Sequence, residues 1–97
     1  MIIEIAQYTA QPGKADDLRR GFLAALPIIR GAEGCNSAHL LQCVEDPGHF
    51  VLQLQWETLE HHTVMFRGGP LFPQYRSHIN GLFADPPFVR HYETVQG

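Results

Sequence analysis

The stretch LQWETLEHHTVMF, Leu54 to Phe66, concentrates side chains that can do chemistry. A lone Trp56 ends an alternating apolar run, and His61 and His62 follow on what reads as the first turns of a helix. Adjacent helical residues diverge by about 100°, and metal-binding histidine pairs stand at i, i+3 or i+4. The pair is therefore no chelate. With Leu59 as origin, Leu59, His62, Thr63 and Phe66 share a face, so His62 is expected among apolar neighbours and His61 toward solvent. A buried His62 is either a packed imidazole with one hydrogen bond or a pocket acid or base. Further on, Arg76 shares a face with Phe72, Tyr75, Ile79 and Phe83. A guanidinium in that company needs a partner, because an unpaired buried charge is expensive. An anionic or carbonyl oxygen of a ligand would serve, and so would Glu57 or Glu93. Trp56 is either plain core or an aromatic wall whose indole N–H can donate. His39 lies mid-strand between Ala38 and Leu40 and faces either the pocket or a cross-strand neighbour. His49, in a turn, and His91, on the last strand, read as surface or interface groups.

These groups need a frame. MIIEIAQYT alternates and is β-branched, which predicts a strand with Ile3, Ile5 and Gln7 on one face and Ile2, Glu4, Ala6 and Tyr8 on the other. After the turn AQPGK, Leu18, Phe22, Ala25 and Ile29 recur at helical spacing, with Asp16 and Asp17 in the first turn, Pro27 kinking the end, and Gly31 and Gly34 stopping it. CNSAHLLQCVE and FVLQLQWE predict two strands joined by a DPGH turn. Thr58 can cap a helix that GGP breaks; LFPQYRSHINGLF predicts a short helix, and FVRHYETV a last strand. The order βαββααβ predicts an α+β, ferredoxin-like antiparallel sheet with helices on one face, within a single domain over residues 1–97. The open face, expected to include Ile2, Tyr8, Val51, Val89 and Val95 among Gln and Glu, is too apolar for water and too polar for a core. Covering it in a symmetric homodimer is the economical solution.

Composition narrows the function. The 97 residues are 44% hydrophobic and 18% charged, with net charge −3, which suits a small folded domain. No Lys/Arg run or basic patch speaks for nucleic acid or an anionic membrane. No apolar stretch approaches the ~20 residues of a membrane span, and no cationic leader opens the chain. Cys35 and Cys43 would lie ~27 Å apart along one strand, beyond disulfide reach. Two unpaired thiols suit a reducing cytoplasm. No Gly-rich phosphate loop, nucleophile elbow or metal-binding cluster is found.

With these elements in place, the chain resembles the antibiotic biosynthesis monooxygenase (ABM) family of the dimeric α+β barrel superfamily. The resemblance covers nearly the whole chain. It is carried by the order of elements, the QPGKADDL entry to the first helix, and above all WETLEHHTVMFRGGPLFPQYR. It implies a ferredoxin-like subunit, a homodimer joined by its sheets, and a pocket between sheet and helices. The best understood members oxidise polycyclic phenols to quinones with molecular oxygen and without metal, flavin or haem. Their pocket Trp and Arg map onto Trp56 and Arg76, and an aromatic helix position maps onto His62. A frequent Asn maps onto Leu52, which is a departure. The Asn, Trp and His of a haem-degrading branch correspond to Gln7, Met65 and Tyr75, which sets haem degradation aside.

The expected function is that of a cofactor-independent monooxygenase acting on a small planar aromatic such as a phenol, hydroquinone or anthrone. His62 or His39 would accept a proton, and Arg76 and Trp56 would stabilise the negative oxygen. Leu52, Phe66, Phe72 and Tyr75 would line the substrate site. The alternatives are a dimeric small-molecule-binding module and a cyclase or isomerase without oxygen chemistry.

Overall fold

A computed structural model describes all 97 residues. Four strands, β1 (Ile2–Thr9), β2 (Cys35–Gln42), β3 (His49–Trp56) and β4 (Phe88–Tyr92), form one antiparallel sheet in the order β2-β3-β1-β4. Helix α1 (Ala15–Arg30), a π-helical segment (His61–Phe66) and helix α2 (Leu71–Ser77) complete the predicted order. This is an α+β, ferredoxin-like fold. No helix is long and apolar enough to cross a membrane.

The inner sheet face is built by alternation on β3, where Phe50, Leu52, Leu54 and Trp56 are all buried. Against them α1 lays the predicted stripe of Leu18, Phe22, Ala25 and Ile29. The helix runs through Pro27 as far as Arg30, whose guanidinium donates to the Ala38 carbonyl at 2.8 and 3.2 Å and ties the helix end to β2. The strand β2 ends at Gln42, short of the predicted Glu45, because the chain turns there: Cys43 N–H bonds His49 O, and His49 N–H bonds Asp46 O. The last strand likewise stops at Tyr92, and Val95 is fully exposed.

Three expectations need correction. Tyr8 is buried on the inner face of β1 with Glu4 and Ala6, and Val89, paired with Ala6, shares that face. The outer face instead carries Ile3, Ile5 and Gln7, opposite Gln55, Gln53 and Val51 and opposite Tyr92, Arg90 and Phe88. Ile3 and Ile5 thus point away from the helices, and a Glu, an Ala and a Tyr point toward them. The second correction concerns the segment after Trp56. Arg67 N–H bonds His62 O, five residues back, at 3.2 Å. That wider turn keeps His62 and Phe66 stacked inward but carries Leu59 and Thr63 off the inner face, and both are exposed. The third concerns His61, which is half-buried and not simply solvent-facing. Its backbone N–H bonds Thr58 Oγ1 at 3.3 Å, the predicted cap. Its ring bonds the same hydroxyl at 2.7 Å and packs where a side chain on Gly34 would stand.

Candidate active site

On β1 the residues Glu4, Ala6 and Tyr8 face the helices. Ala6 leaves room between two polar groups, and a cleft of about 680 Å³ opens there. Glu4 and Tyr8 form its floor, Phe66, Phe72 and Tyr75 its aromatic wall, and Arg67 and Arg76 bring positive charge to its lining.

The centre of the site is Glu4. Its side chain is almost wholly buried, and its Oε1 accepts the Trp56 indole N–H at 2.9 Å. The same oxygen lies 3.3 Å from His62 Nε2. His62 Nδ1 in turn meets His91 Nε2 at 2.7 Å. The sheet register places His91 opposite Glu4, and the stacking of Trp56 on His62, with ring centroids 5.2 Å apart, fixes the imidazole. Burial pushes the Glu4 carboxyl up from 4.5 to about 7, against the lowering pull of the Trp56 bond and the Arg67 charge. Burial, helped by Arg67 and His91, pushes His62 down to about 3, so the ring stays neutral near pH 7. His91 is lowered by its partial burial and by Arg67. The result is a carboxyl poised near neutrality and backed by two neutral imidazoles, a combination suited to moving protons.

A second polar group lies across Ala6. The hydroxyls of Tyr8 and Tyr75 are 3.1 Å apart, and burial raises both phenols. Both therefore stay protonated; one hydroxyl donates to the other, and the accepting one keeps its own hydrogen free for an anionic oxygen. Arg76 lies near them, held by Asn80 Oδ1 at 3.2 Å and by the faces of Phe72 and Phe83 at 5.8 and 5.3 Å.

The structure brings His62, Arg76, Phe66, Phe72 and Tyr75 to one cleft, as the sequence predicts. Three expected site residues stand elsewhere. Trp56 is wholly buried behind Glu4; its indole N–H serves the carboxylate and does not border the cleft. Leu52 is core, packed beneath the sheet's inner face. His39 pairs with Gln53 on the outer face and is exposed, because the alternation of β2 turns its buried neighbour Ala38 inward instead. Arg76 bonds neither Glu57 nor Glu93; Glu57 bonds Asn36. His91, expected at the surface or an interface, turns inward to His62. Glu4, Tyr8 and Arg67 were not foreseen as site residues. The available signal was that Glu4 and Tyr8 alternate with small Ala6 on one strand face. No group of three or more His, Cys, Asp or Glu side chains is placed to hold a metal ion.

Fold and site together define an α+β domain with a cleft between its sheet and its later helices that holds buried titratable groups. The antibiotic biosynthesis monooxygenase model matches residues 1–75, and the chain belongs to that family. The uncharacterised Bacillus subtilis protein YczJ is 30% identical over 95 residues, covering 98% of this chain and all of that one. A candidate antibiotic biosynthesis monooxygenase from Bordetella bronchiseptica superposes with a TM-score of 0.92 at 36% identity, over 98% of this chain and 97% of its own. Rv0793 from Mycobacterium tuberculosis shares the fold, with a TM-score of 0.82 at 23% identity, over 99% and 96% of the two chains.

Proposed function

We propose that this protein is a cofactor-independent monooxygenase, with Glu4 as its base and a small planar aromatic of the phenol, hydroquinone or anthrone type as its substrate. The observation that carries this reading is the Glu4 carboxyl, buried in the cleft floor and raised to about 7. Family membership and the aromatic wall of Phe66, Phe72 and Tyr75 support the substrate class. Glu4 replaces His62 and His39 as base, because His62 resists protonation and His39 is on the other side of the sheet.

For an anthrone-type methylene, Glu4 takes one C–H proton, and Arg76 with the Tyr8–Tyr75 pair stabilises the resulting enolate oxygen. The electron-rich carbanion passes an electron to molecular oxygen, and the radical pair combines into a peroxide. Glu4 returns its proton to the outer peroxide oxygen. Loss of the second C–H proton with cleavage of the O–O bond leaves one oxygen as a ketone and the other as water. A methylene and O2 thus give a carbonyl and H2O, with no external reductant.

The reading extends to a homodimer formed through the outer sheet faces, in a reducing cytoplasm. An exposed Phe88, Tyr92 and Leu41 on the same outer face as Ile3 and Ile5 support the dimer, and two free thiols suit the compartment.

Oxygen uptake against a panel of hydroquinones and anthrones tests the reaction, with product labelling from ¹⁸O2. Glu4→Gln is expected to lower turnover by about 10²–10⁴-fold. Arg76→Ala is expected to lower kcat more than it weakens binding, since negative charge on oxygen is fuller in the transition state. Tight binding of these aromatics without oxygen uptake would mark a binding module. Turnover without label would mark an isomerase or cyclase using the same base.

A further inference from the structure

We propose that His62 and His91 form a proton line between Glu4 and solvent, with His91 as the residue that exchanges with water. The inference rests on the reading of Glu4 as the acid–base group and assigns a role to two residues that reading does not need. Two contacts and one position carry it: Glu4 Oε1 to His62 Nε2 at 3.3 Å, His62 Nδ1 to His91 Nε2 at 2.7 Å, and the place of His91 on β4, the edge strand, where the residue is half-buried. The first imidazole uses both ring nitrogens inside the protein. The second uses only Nε2, which leaves Nδ1 for water.

Neutral histidines allow only two consistent arrangements of the line. When Glu4 carries a proton, it donates to His62 Nε2, His62 donates from Nδ1, and His91 accepts at Nε2 with its own hydrogen on Nδ1. When Glu4 is ionised, His62 donates from Nε2 to the carboxylate, and His91 donates from Nε2 to His62. One concerted shift converts the first arrangement into the second. The Glu4 proton moves to His62 Nε2, the His62 Nδ1 proton moves to His91 Nε2, and the His91 Nδ1 proton leaves to water. Neither ring ever holds two protons, which matters because burial and Arg67 oppose an imidazolium at His62. Running outward after substrate deprotonation and inward when the leaving oxygen needs a proton, the line returns both rings to their starting tautomers in each turnover. The titratable groups around Glu4 are His62, His91, Tyr8, Tyr75, Cys35 and the fixed charge of Arg67. The phenols and the thiol are all raised and stay neutral across the range of interest.

The test is long-range ¹H–¹⁵N NMR of the histidine rings in the whole protein between about pH 5 and 9, with ¹³C detection of the Glu4 carboxyl. His62 and His91 are each expected to switch from the Nδ1–H to the Nε2–H tautomer with the same midpoint as Glu4, and to stop switching in Glu4→Gln. Rings that keep one tautomer while Glu4 titrates would overturn the line and leave Glu4 as base. A Glu4 that stays ionised throughout would overturn both. In turnover, His91→Ala is expected to lower kcat on the order of tenfold or more with KM unchanged, and added imidazole to restore it. A wild-type kcat in that variant would also overturn the proposal.

Discussion

Replacing Glu4 by Gln separates a carboxyl whose proton affinity burial has raised from one that ionises normally, and it does so without a substrate. Gln has the shape of protonated Glu and can still accept the Trp56 indole N–H, so below pH 4.5 variant and wild type are expected to be within about 1 kcal/mol of each other. Above that pH they diverge. The unfolded chain releases the Glu4 proton near 4.5, whereas the folded protein holds it to about 7. A raised carboxyl therefore contributes stability that is complete below 4.5 and is lost as pH rises through about 7. At about 1.4 kcal/mol for each tenfold change in proton affinity, this amounts to about 3 kcal/mol. His62 acts in the opposite sense. Lowered from 6.5 to about 3, it contributes stability that is present above 6.5 and lost as pH falls toward 3, so the wild-type profile is flattened where the two overlap. The variant removes only the Glu4 part. Its stability relative to wild type is thus expected to rise by about 3 kcal/mol between pH 4.5 and about 8. Urea unfolding at fixed protein concentration measures this; with a slope of about 1–3 kcal/mol/M, the gap in midpoints widens by about 1–3 M. A gap independent of pH would mean that Glu4 ionises like a surface carboxylate, and the acid–base reading of the cleft would fall with it.

Trp56→Phe removes the donor that holds the Glu4 proton affinity down, so the carboxyl is expected to titrate above 7, and the loss at pH 8 to reach about 1–3 kcal/mol by urea unfolding. Tyr75→Phe breaks the hydroxyl pair with Tyr8 and is expected to cost about 0.5–1.5 kcal/mol while weakening stabilisation of an anionic oxygen, visible as a lower kcat. Gly34→Ala is expected to cost about 1–3 kcal/mol, because φ is +82° and the new methyl would overlap the His61 ring; an unchanged unfolding midpoint would show that the turn adapts. Ile5→Lys places a charge in the middle of the outer sheet face, between Gln53 and Arg90, and is expected to convert a dimer into monomer by light scattering. A wild type already monomeric at micromolar concentration would refute the dimer.

Much of this protein is legible from one strand of text. The order of elements follows from hydrophobic period and turn residues, because the stripe Leu18, Phe22, Ala25, Ile29 has one helical solution and Phe50 to Trp56 has one strand solution. The inward aim of His62 and Phe66, four residues apart, follows from helical spacing, as does the shared side of Phe72, Tyr75 and Arg76 on α2, although the π-helical turn carries Leu59 and Thr63 off the face that a regular helix predicts. What period cannot supply is which face of a strand turns in. On β1 both faces look usable, and propensity favours Ile3 and Ile5 for the core. The sheet decides otherwise, because its register sets Glu4, Ala6 and Tyr8 beside the buried Leu54, Leu52 and Phe50 of β3 and so turns them toward the helices. The same one-residue alternation sends His39 outward beside an inward Ala38. The contact between Glu4, His62 and His91 joins the start, the middle and the end of the chain, and depends on a register between β1 and β4 that no local pattern encodes. Proton affinity belongs to this level as well. Glu4 is an ordinary carboxyl in the sequence, and only burial among Trp56, His62 and the cleft wall, which removes water from its charged form, raises it to about 7.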